Sequence, residues 1–590
     1  MTRSVAPSDH VRRRSSSDWT PKRQNENAAH RSCYMGEVSL RGIRTMRQEA
    51  LGNLPARLSQ GHQDGSFHIH DLEAFGQAPN CLTVDLKRCF PGKRFAGMDE
   101  MRKVLGIFDF LREAITTIAA EQTGGIGFAN VDNDIAWICS SLGVVDSPLV
   151  RDLLRAGVHG LIDWINTTRT RYGLECYYVT FNLGLCMEPL GRHITACILD
   201  AVGNSPASYV RPNVVFKVQS AVNGAANTPN RDLFERALAT TAERMVPTYL
   251  LCESSPNIAI APDALGVMGC RSRVAVNVHG PTTTIGRGNL AYISINLPRL
   301  AWQARSTESA KRIGGFIDEW ERVAEVVAEL LLLRRERLMA LPPSAFPGHV
   351  AVDPWFKPFS EQGMVSVWQH GTLSVGFVGL AEAVQIITGL RFGVDRCCQK
   401  AGLEMAAAMR STIDRFRDRH KTNFTLLATS AELAAGRFAA IDAEVLHIPQ
   451  AQKGFYTNSF HVPVEVEIGS IEKLQWEGPF HRFCNGGCIS YVECAGPPIG
   501  NTLAIEDLVA TGVEAGVGYL GLNFPRDVCR DCQQAGIFDV CPVCQSADVS
   551  HIRRVSGYLE ELSGFTPGKQ TEVRMRTTHI EDYEHAGHRH

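Results

Sequence analysis

No stretch of the 590-residue chain approaches the roughly 18 uninterrupted apolar residues of a membrane-spanning helix. That excludes an integral helical membrane protein. An excess of one charge is also missing: 60 Lys and Arg against 62 Asp and Glu leave a formal net charge of −2, without the basic surplus of a dedicated nucleic-acid binder. Nucleotides remain open as small ligands. The 18 cysteines, about 3% of the chain, fall well short of the roughly 8–10% of a disulfide scaffold, and the N-terminus lacks the apolar segment of a secretory leader. The thiols therefore read as reduced, cytoplasmic and open to metal binding or catalysis. Internal repeats and long Gly/Ser linkers are absent as well, so domain limits must come from motifs. What is present, 44% hydrophobic and 21% charged residues, is the composition of a globular protein large enough for several domains or one large α/β barrel with additions.

The first two dozen residues hold the run Arg12-Arg13-Arg14-Ser15-Ser16-Ser17 and little apolar content, which predicts a disordered tail over 1–24. Asp9, Asp18 and Glu26 argue against an organelle transit peptide. The last segment, 580–590, with His585, His588 and His590, reads as a second tail. Between the tails, helical periodicity runs through Asp99–Ala120, Leu149–Thr168, Gly314–Leu341 and Val394–Phe416. Strands are predicted at Tyr177–Leu185, Ala291–Leu297, Leu373–Leu380, Phe424–Thr429 and Val517–Phe524, mostly apolar on both faces. Such strands belong to parallel sheets covered by helices, hence an α/β architecture, open or barrel.

The strongest local signal is Cys529-x-x-Cys532 followed, after eight intervening residues, by Cys541-x-x-Cys544. Each pair occupies a tight turn, and four thiolates so spaced can converge tetrahedrally on one Zn²⁺. With four protein ligands no position stays open for substrate, so the metal is expected to be structural. One detail departs from the usual knuckle: Gln533 and Gln545 stand where a glycine free to take positive φ is customary.

Nine residues after Cys544 comes Arg553-Arg554-Val555-Ser556-Gly557-Tyr558-Leu559. This string resembles the radical-bearing loop of glycyl radical enzymes. Glycine suits the task because, without Cβ, its α-carbon radical can flatten and delocalise between the two flanking amides. With a zinc ribbon immediately before it, the resemblance narrows to the anaerobic (class III) ribonucleoside-triphosphate reductases. Other segments match that family in order: Asn25-Glu26-Asn27-Ala28, His68-Ile69-His70-Asp71-Leu72, Pro79-Asn80-Cys81-Leu82, Met268-Gly269-Cys270-Arg271, Ile295-Asn296-Leu297-Pro298-Arg299, Ser374-Val375-Gly376-Phe377 and Thr457-Asn458-Ser459-Phe460-His461.

The resemblance implies a ten-stranded α/β barrel over 25–525, a zinc ribbon over 526–548 and a glycyl radical loop over 549–579. A finger loop carries Cys270 through the barrel centre, and the Gly557 loop enters from the other side. It implies an anaerobic oxidoreductase that makes 2′-deoxyribonucleoside triphosphates for DNA synthesis. Breaking the ribose 3′ C–H bond is beyond side-chain acid–base chemistry and calls for a radical. By resemblance, Gly557 stores that radical, Cys270 becomes the thiyl that takes the 3′ hydrogen, and Cys81 donates as the 2′-hydroxyl leaves. Asn296 is expected to hold the substrate hydroxyls, Met268 to line the pocket, and Thr457, Asn458 and Ser459 to bind phosphates at a helix start. Formate is the expected reductant. The expected partners are a radical SAM activating enzyme, nucleotide effectors at a homodimer interface and the ribonucleoside triphosphates, with neither membrane nor nucleic acid. Only about two dozen residues precede the catalytic motifs, against the roughly 100 of a nucleotide-sensing module, so dATP control through an ATP cone is not expected.

Cys484, Cys488 and Cys494 add thiols where other residue types are expected, as packing or as a redox pair. Two rival readings follow. Another glycyl radical enzyme, such as a formate acetyltransferase, needs an adjacent cysteine pair, and Cys397-Cys398 is one, though in a helical stretch. A zinc-ribbon scaffold or nucleic-acid protein is disfavoured by the near-neutral charge.

Overall fold

The computed structural model describes residues 34–169, 176–305, 312–359 and 364–579. Both expected tails and the Asn25–Ala28 match lie outside them. The long helices form where periodicity meets a capping residue. In the helix Pro148–Thr167, Ser147 accepts from the Val150 amide at 3.2 Å, proline opens the first turn, and Val150, Leu154, Val158, Leu161 and Ile165 bury one face. Asp99 caps Glu100–Ala119 in the same way.

The strands are β1 (Phe67–Ile69), β2 (Cys81–Val84), β3 (Ile126–Phe128), β4 (Val179–Leu183), β5 (Asn213–Val218), β6 (Thr248–Leu251), β7 (Gly288–Asn296), β8 (Thr372–Val378), β9 (Asn423–Ala428), β10 (Ser490–Glu493) and β11 (Tyr519–Asn523). Ten of them run in the order β10-β11-β6-β5-β4-β3-β2-β7-β8-β9, with β1 paired to β7 outside that path. Strands β2 to β6 are mutually parallel, as are β7 to β9 and the pair β10 and β11. The two groups meet antiparallel at β2/β7 and at β11/β6. The path closes into a barrel where the segment entering β10 bonds to β9: Gly486 N donates to Leu426 O at 2.9 Å and Ala428 N to Gly487 O at 3.1 Å. Strands β4, β5, β7, β8 and β9 are buried along their whole length, as strands covered on both faces must be.

A second sheet lies at the C-terminal end. It comprises β12 (Arg526–Cys529), β13 (Ala535–Gly536), β14 (Val549–Arg554) and β15 (Leu559–Glu561) in the order β13-β12-β14-β15. Strand β14 joins the four-cysteine segment directly to the Gly557 turn, so one sheet serves both. Among the described residues, no helix is long and apolar enough to cross a membrane.

Candidate active site

Residues between β6 and β7 form the finger loop inside the barrel. Buried polar side chains of the first half-barrel hold it: Asn182 Nδ2 donates to Val267 O at 2.9 Å, the Val267 amide donates back to Asn182 Oδ1, and Thr180 Oγ1 donates to Gly269 O at 3.0 Å. From the other half-barrel, the Arg273 amide donates to Gly486 O at 3.0 Å. Gly487 makes that approach possible, because with φ at +126° a Cβ there would stand 2.2 Å from Arg271 O. The loop thereby presents Cys270 to the barrel centre.

Gly557 meets it there. A Cβ on Gly557 would lie 2.3 Å from the Cys270 carbonyl oxygen, 2.5 Å from its Cβ and 2.6 Å from its Cα. Only glycine fits against that backbone. The turn is fastened on both sides. Arg271 Nη2 donates to Ser556 O at 2.6 Å, the Tyr491 hydroxyl donates to the same oxygen, and Arg554 Nη1 donates to Gly557 O at 2.9 Å. Ser556 Oγ donates to Glu432, and beyond the glycine Arg211 pairs with Glu560 at 2.9 Å while facing the rings of Tyr178 and Tyr558.

Cys81, the first residue of β2, stands in register with Asn289 of β7. Cys81 and Cys270 line one cavity with Asn80, Asn289, Tyr178, Tyr292, Ser430 and Tyr558. The Tyr558 hydroxyl is buried there without a hydrogen-bond partner among the described residues. Burial pushes the Cys270 thiol up, with Glu432 adding and Arg271 opposing; burial and the nearness of Cys270 push Cys81 up. Both thiols therefore keep their hydrogen at neutral pH. A thiolate nucleophile would need the opposite shift, whereas hydrogen-atom exchange needs S–H.

Three of the expected placements lie outside this cavity. Asn296 does not face it: it is fully buried at the far end of β7, where Oδ1 accepts from Arg299 N at 3.3 Å and Nδ2 donates to Gly65 O at 3.0 Å and Asp442 Oδ2 at 2.8 Å. Its amide is spent on capping the helix Leu297–Ala304. Asn289, seven positions earlier, is the asparagine beside Cys81. The register across the antiparallel seam decides this, and sequence alone does not carry that register.

Thr457, Asn458 and Ser459 also lie outside the cavity. Thr457 N and Oγ1 donate to Glu382 Oε1 at 3.0 and 2.6 Å, and the carbonyls of Thr457 and Ser459 accept from Gly379 N and Leu380 N, at the start of the helix Leu380–Thr388. Gly379 N and Leu380 N are thus taken, while Asn458 Oδ1 and Ser459 Oγ are buried without a hydrogen-bond partner among the described residues, and the Glu382 carboxylate beside them is paired with Lys453 at 3.0 Å. Met268 packs on Cys81 and Val274 without lining the cavity. Cys397 and Cys398 sit at the start of the helix Arg396–His420, the first exposed and the second in the core, so they form no active-site pair. Cys484, Cys488 and Cys494 are buried in the core, with Cys488 Sγ 3.1 Å from His481 Nδ1.

In the second sheet, the sulfurs of Cys529, Cys532, Cys541 and Cys544 all lie within 4.8 Å of one another, with 3.5 Å between Cys529 and Cys544 and between Cys532 and Cys541. A Zn–S bond of about 2.3 Å puts tetrahedral sulfurs about 3.8 Å apart, so the donor set fits zinc. Gln533 and Gln545 both adopt φ of +61°, the left-handed turn that the knuckle geometry demands. Each returns an amide bond to the first cysteine of its pair, Gln533 N to Cys529 O and Gln545 N to Cys541 O, at 3.0 Å.

Comparison with known proteins agrees with this architecture. The family model described as anaerobic ribonucleoside-triphosphate reductase matches residues 25–579. The enzyme of that name from Salmonella typhimurium is 29% identical over 574 residues, covering 89% of this chain and 79% of the relative. Among solved structures, the anaerobic ribonucleotide reductase of Thermotoga maritima in complex with dATP and CTP superposes with a TM-score of 0.68 at 14% identity, covering 92% of this chain and 90% of that one. A glycyl radical enzyme from Archaeoglobus fulgidus reaches 0.55 at 11% identity, covering 92% and 85%. At these identities the structural likenesses speak for the fold.

Proposed function

The chain belongs to the anaerobic ribonucleoside-triphosphate reductase family, and from that premise we propose that the cavity between Cys81 and Cys270 is where a ribonucleoside triphosphate is reduced to its 2′-deoxy product. The observation that carries this is the seating of Gly557 on the backbone of Cys270, with a second thiol in the same cavity. Gly557 stores the radical; Cys270 gives Gly557 its hydrogen and, as the thiyl, takes the 3′ hydrogen of the ribose. With the spin at C3′, the 2′-hydroxyl departs as water on a proton supplied from the cavity, and Cys81 is the thiol placed to give it. Tyr558 and Asn289 offer polar groups to the ribose. The barrel wall shields the intermediates from solvent.

Formate is the proposed reductant. Cys81 has Asn289, not a cysteine, as its cross-strand neighbour, so no dithiol on these paired strands can deliver the two electrons by closing to a disulfide. Formate plus the ribonucleotide plus a proton balance to carbon dioxide, water and the deoxyribonucleotide. Zinc bound by Cys529, Cys532, Cys541 and Cys544 would brace the turn from which β14 runs to Gly557. A radical SAM activating enzyme, nucleotide effectors and a homodimer complete the proposal. The Thermotoga maritima likeness in complex with dATP and CTP supports a nucleotide-binding role.

The test is anaerobic activation of the full chain with an activating enzyme, SAM and a reductant, followed by paramagnetic resonance and product analysis with labelled formate. Wild type should give a glycyl doublet and one labelled carbon dioxide per deoxynucleotide. Gly557→Ala should give neither, and Cys270→Ser the doublet alone. A wild-type enzyme that reduces the nucleotide with no doublet would overturn the reading.

A further inference from the structure

The two peptide groups on either side of Gly557 are gripped by different parts of the molecule. Arg554 precedes the turn by three residues and binds the carbonyl of Gly557 itself at 2.9 Å, its Nε anchored on Asn523 Oδ1 at 2.8 Å. Arg271, next to Cys270 on the finger loop, and Tyr491 from β10 bind the carbonyl of Ser556. Arg271 and Arg554 are each 1% exposed. In a site closed to water, such charged donors act at nearly full strength.

The two carbonyls have opposite effects on an α-carbon radical. The unpaired electron spreads onto the glycine's own carbonyl, which withdraws density, and is supported by the preceding amide nitrogen, which donates it. A donor on Gly557 O strengthens the withdrawal and so steadies the radical. A donor on Ser556 O draws the nitrogen lone pair toward that oxygen and so weakens the donation. We propose that Arg554 on one side and Arg271 with Tyr491 on the other are positioning residues that set, in opposite directions, how firmly Gly557 holds its radical against Cys270.

The step they bias transfers one hydrogen atom: the Cys270 S–H bond breaks, the Gly557 C–H bond forms, and the spin moves from carbon to sulfur with no external oxidant. A glycyl radical left too stable would not pass on. Arg271 adjoins the accepting cysteine, so its grip on Ser556 forms only when the finger loop and the turn are engaged, and release of the radical is thereby tied to docking. The inference rests on the reading of Gly557 as the radical store.

Tyr491→Phe and Arg554→Lys in the activated full-length enzyme test it, with folding checked by thermal melting. The α-hydrogen splitting of the doublet reports spin density on the glycine carbon, which a purely structural role would not move. Tyr491→Phe should narrow the doublet at undiminished radical content while turnover falls about tenfold, the scale of one lost buried hydrogen bond. Arg554→Lys should widen it and lower the radical yield. Splittings equal to wild type in both variants, or shifts of the same sign, would overturn the proposal. If Arg554→Lys accumulates no radical, Tyr491→Phe decides alone: narrowing supports and an unchanged doublet refutes. A wild-type enzyme without a doublet rejects the glycyl reading itself.

Discussion

Replacing Asn296 with alanine should damage the fold and spare the chemistry. The substitution removes an N-cap, worth about 0.5–2 kcal/mol, and a hydrogen bond to the Asp442 carboxylate, worth about 1.5–3 kcal/mol. It also leaves the Gly65 carbonyl without its partner. Asp442 would then depend on Arg299 at 2.6 Å and Tyr456 at 2.8 Å, in a place where burial already pushes its carboxyl up. Together these losses come to about 3–5 kcal/mol. Urea unfolding should show this loss, while KM for the nucleotide and kcat per folded molecule stay within about twofold of wild type. Asn289→Ala makes the contrast. Its amide also has structural work, with 2.9 Å to Ser374 Oγ, so it too loses stability; but it borders the thiols, and kcat per folded molecule should fall at least about tenfold. An Asn296→Ala enzyme that melts like wild type yet no longer binds nucleotide would refute the placement of both asparagines.

Gln533→Gly and Gln545→Gly should each stabilise the ribbon by about 0.5–1 kcal/mol, the relief of a left-handed non-glycine residue less the extra freedom of the unfolded chain. Slower zinc loss to a chelator is the measurement, and faster loss in either variant would count against the strain. Asp134 supplies a pH test: burial pushes its carboxyl up to about 7, with Lys87 at 3.6 Å opposing. The folded protein thus holds a proton that the unfolded chain releases near pH 4, so stability falls as pH rises from about 4 to 7. Asp134→Asn should remove up to about 4 kcal/mol of that fall, read from unfolding free energies across the range; a pH profile identical to wild type would show the carboxylate to be ionised throughout.

The legible parts of the fold were those that carry their own signal. The helix Pro148–Thr167 announces itself by Ser147, a first-turn proline and a five-membered apolar stripe, and β4, β7, β8, β9 and β11 are segments of five or more residues in which apolar side chains predominate. Strand β3 is three residues, Ile126–Phe128, with glycine at its centre; nothing local separates it from a loop, and only pairing with β2 and β4 makes it a strand. The clustering of the four cysteines was readable because their spacing is local. The convergence of Cys81, Cys270 and Gly557 was readable only through resemblance, since they come from three distant segments. The placement of Asn296 away from Cys81 has a similar cause: seven residues along β7 correspond to about 23 Å of strand, and the sequence does not say which end faces Cys81.

With Gly557 as the proposed radical store, its seating against Cys270 would also divide the life of the molecule into two phases. In the closed arrangement, the glycine's α-carbon lies inside a barrel wall, and no other protein can touch it. Whatever installs the radical must find residues 554–561 elsewhere, after the grips of Arg211 on Glu560, Arg554 on Asn523 and Tyr491 on Ser556 have let go. Charging and working are therefore mutually exclusive shapes, and the passage between them is sealed by bonds that reform on return. Dioxygen, the natural enemy of such a radical, finds its best opportunity during that passage. Damage should follow the time the turn spends outside, more than the amount of oxygen around a molecule already closed.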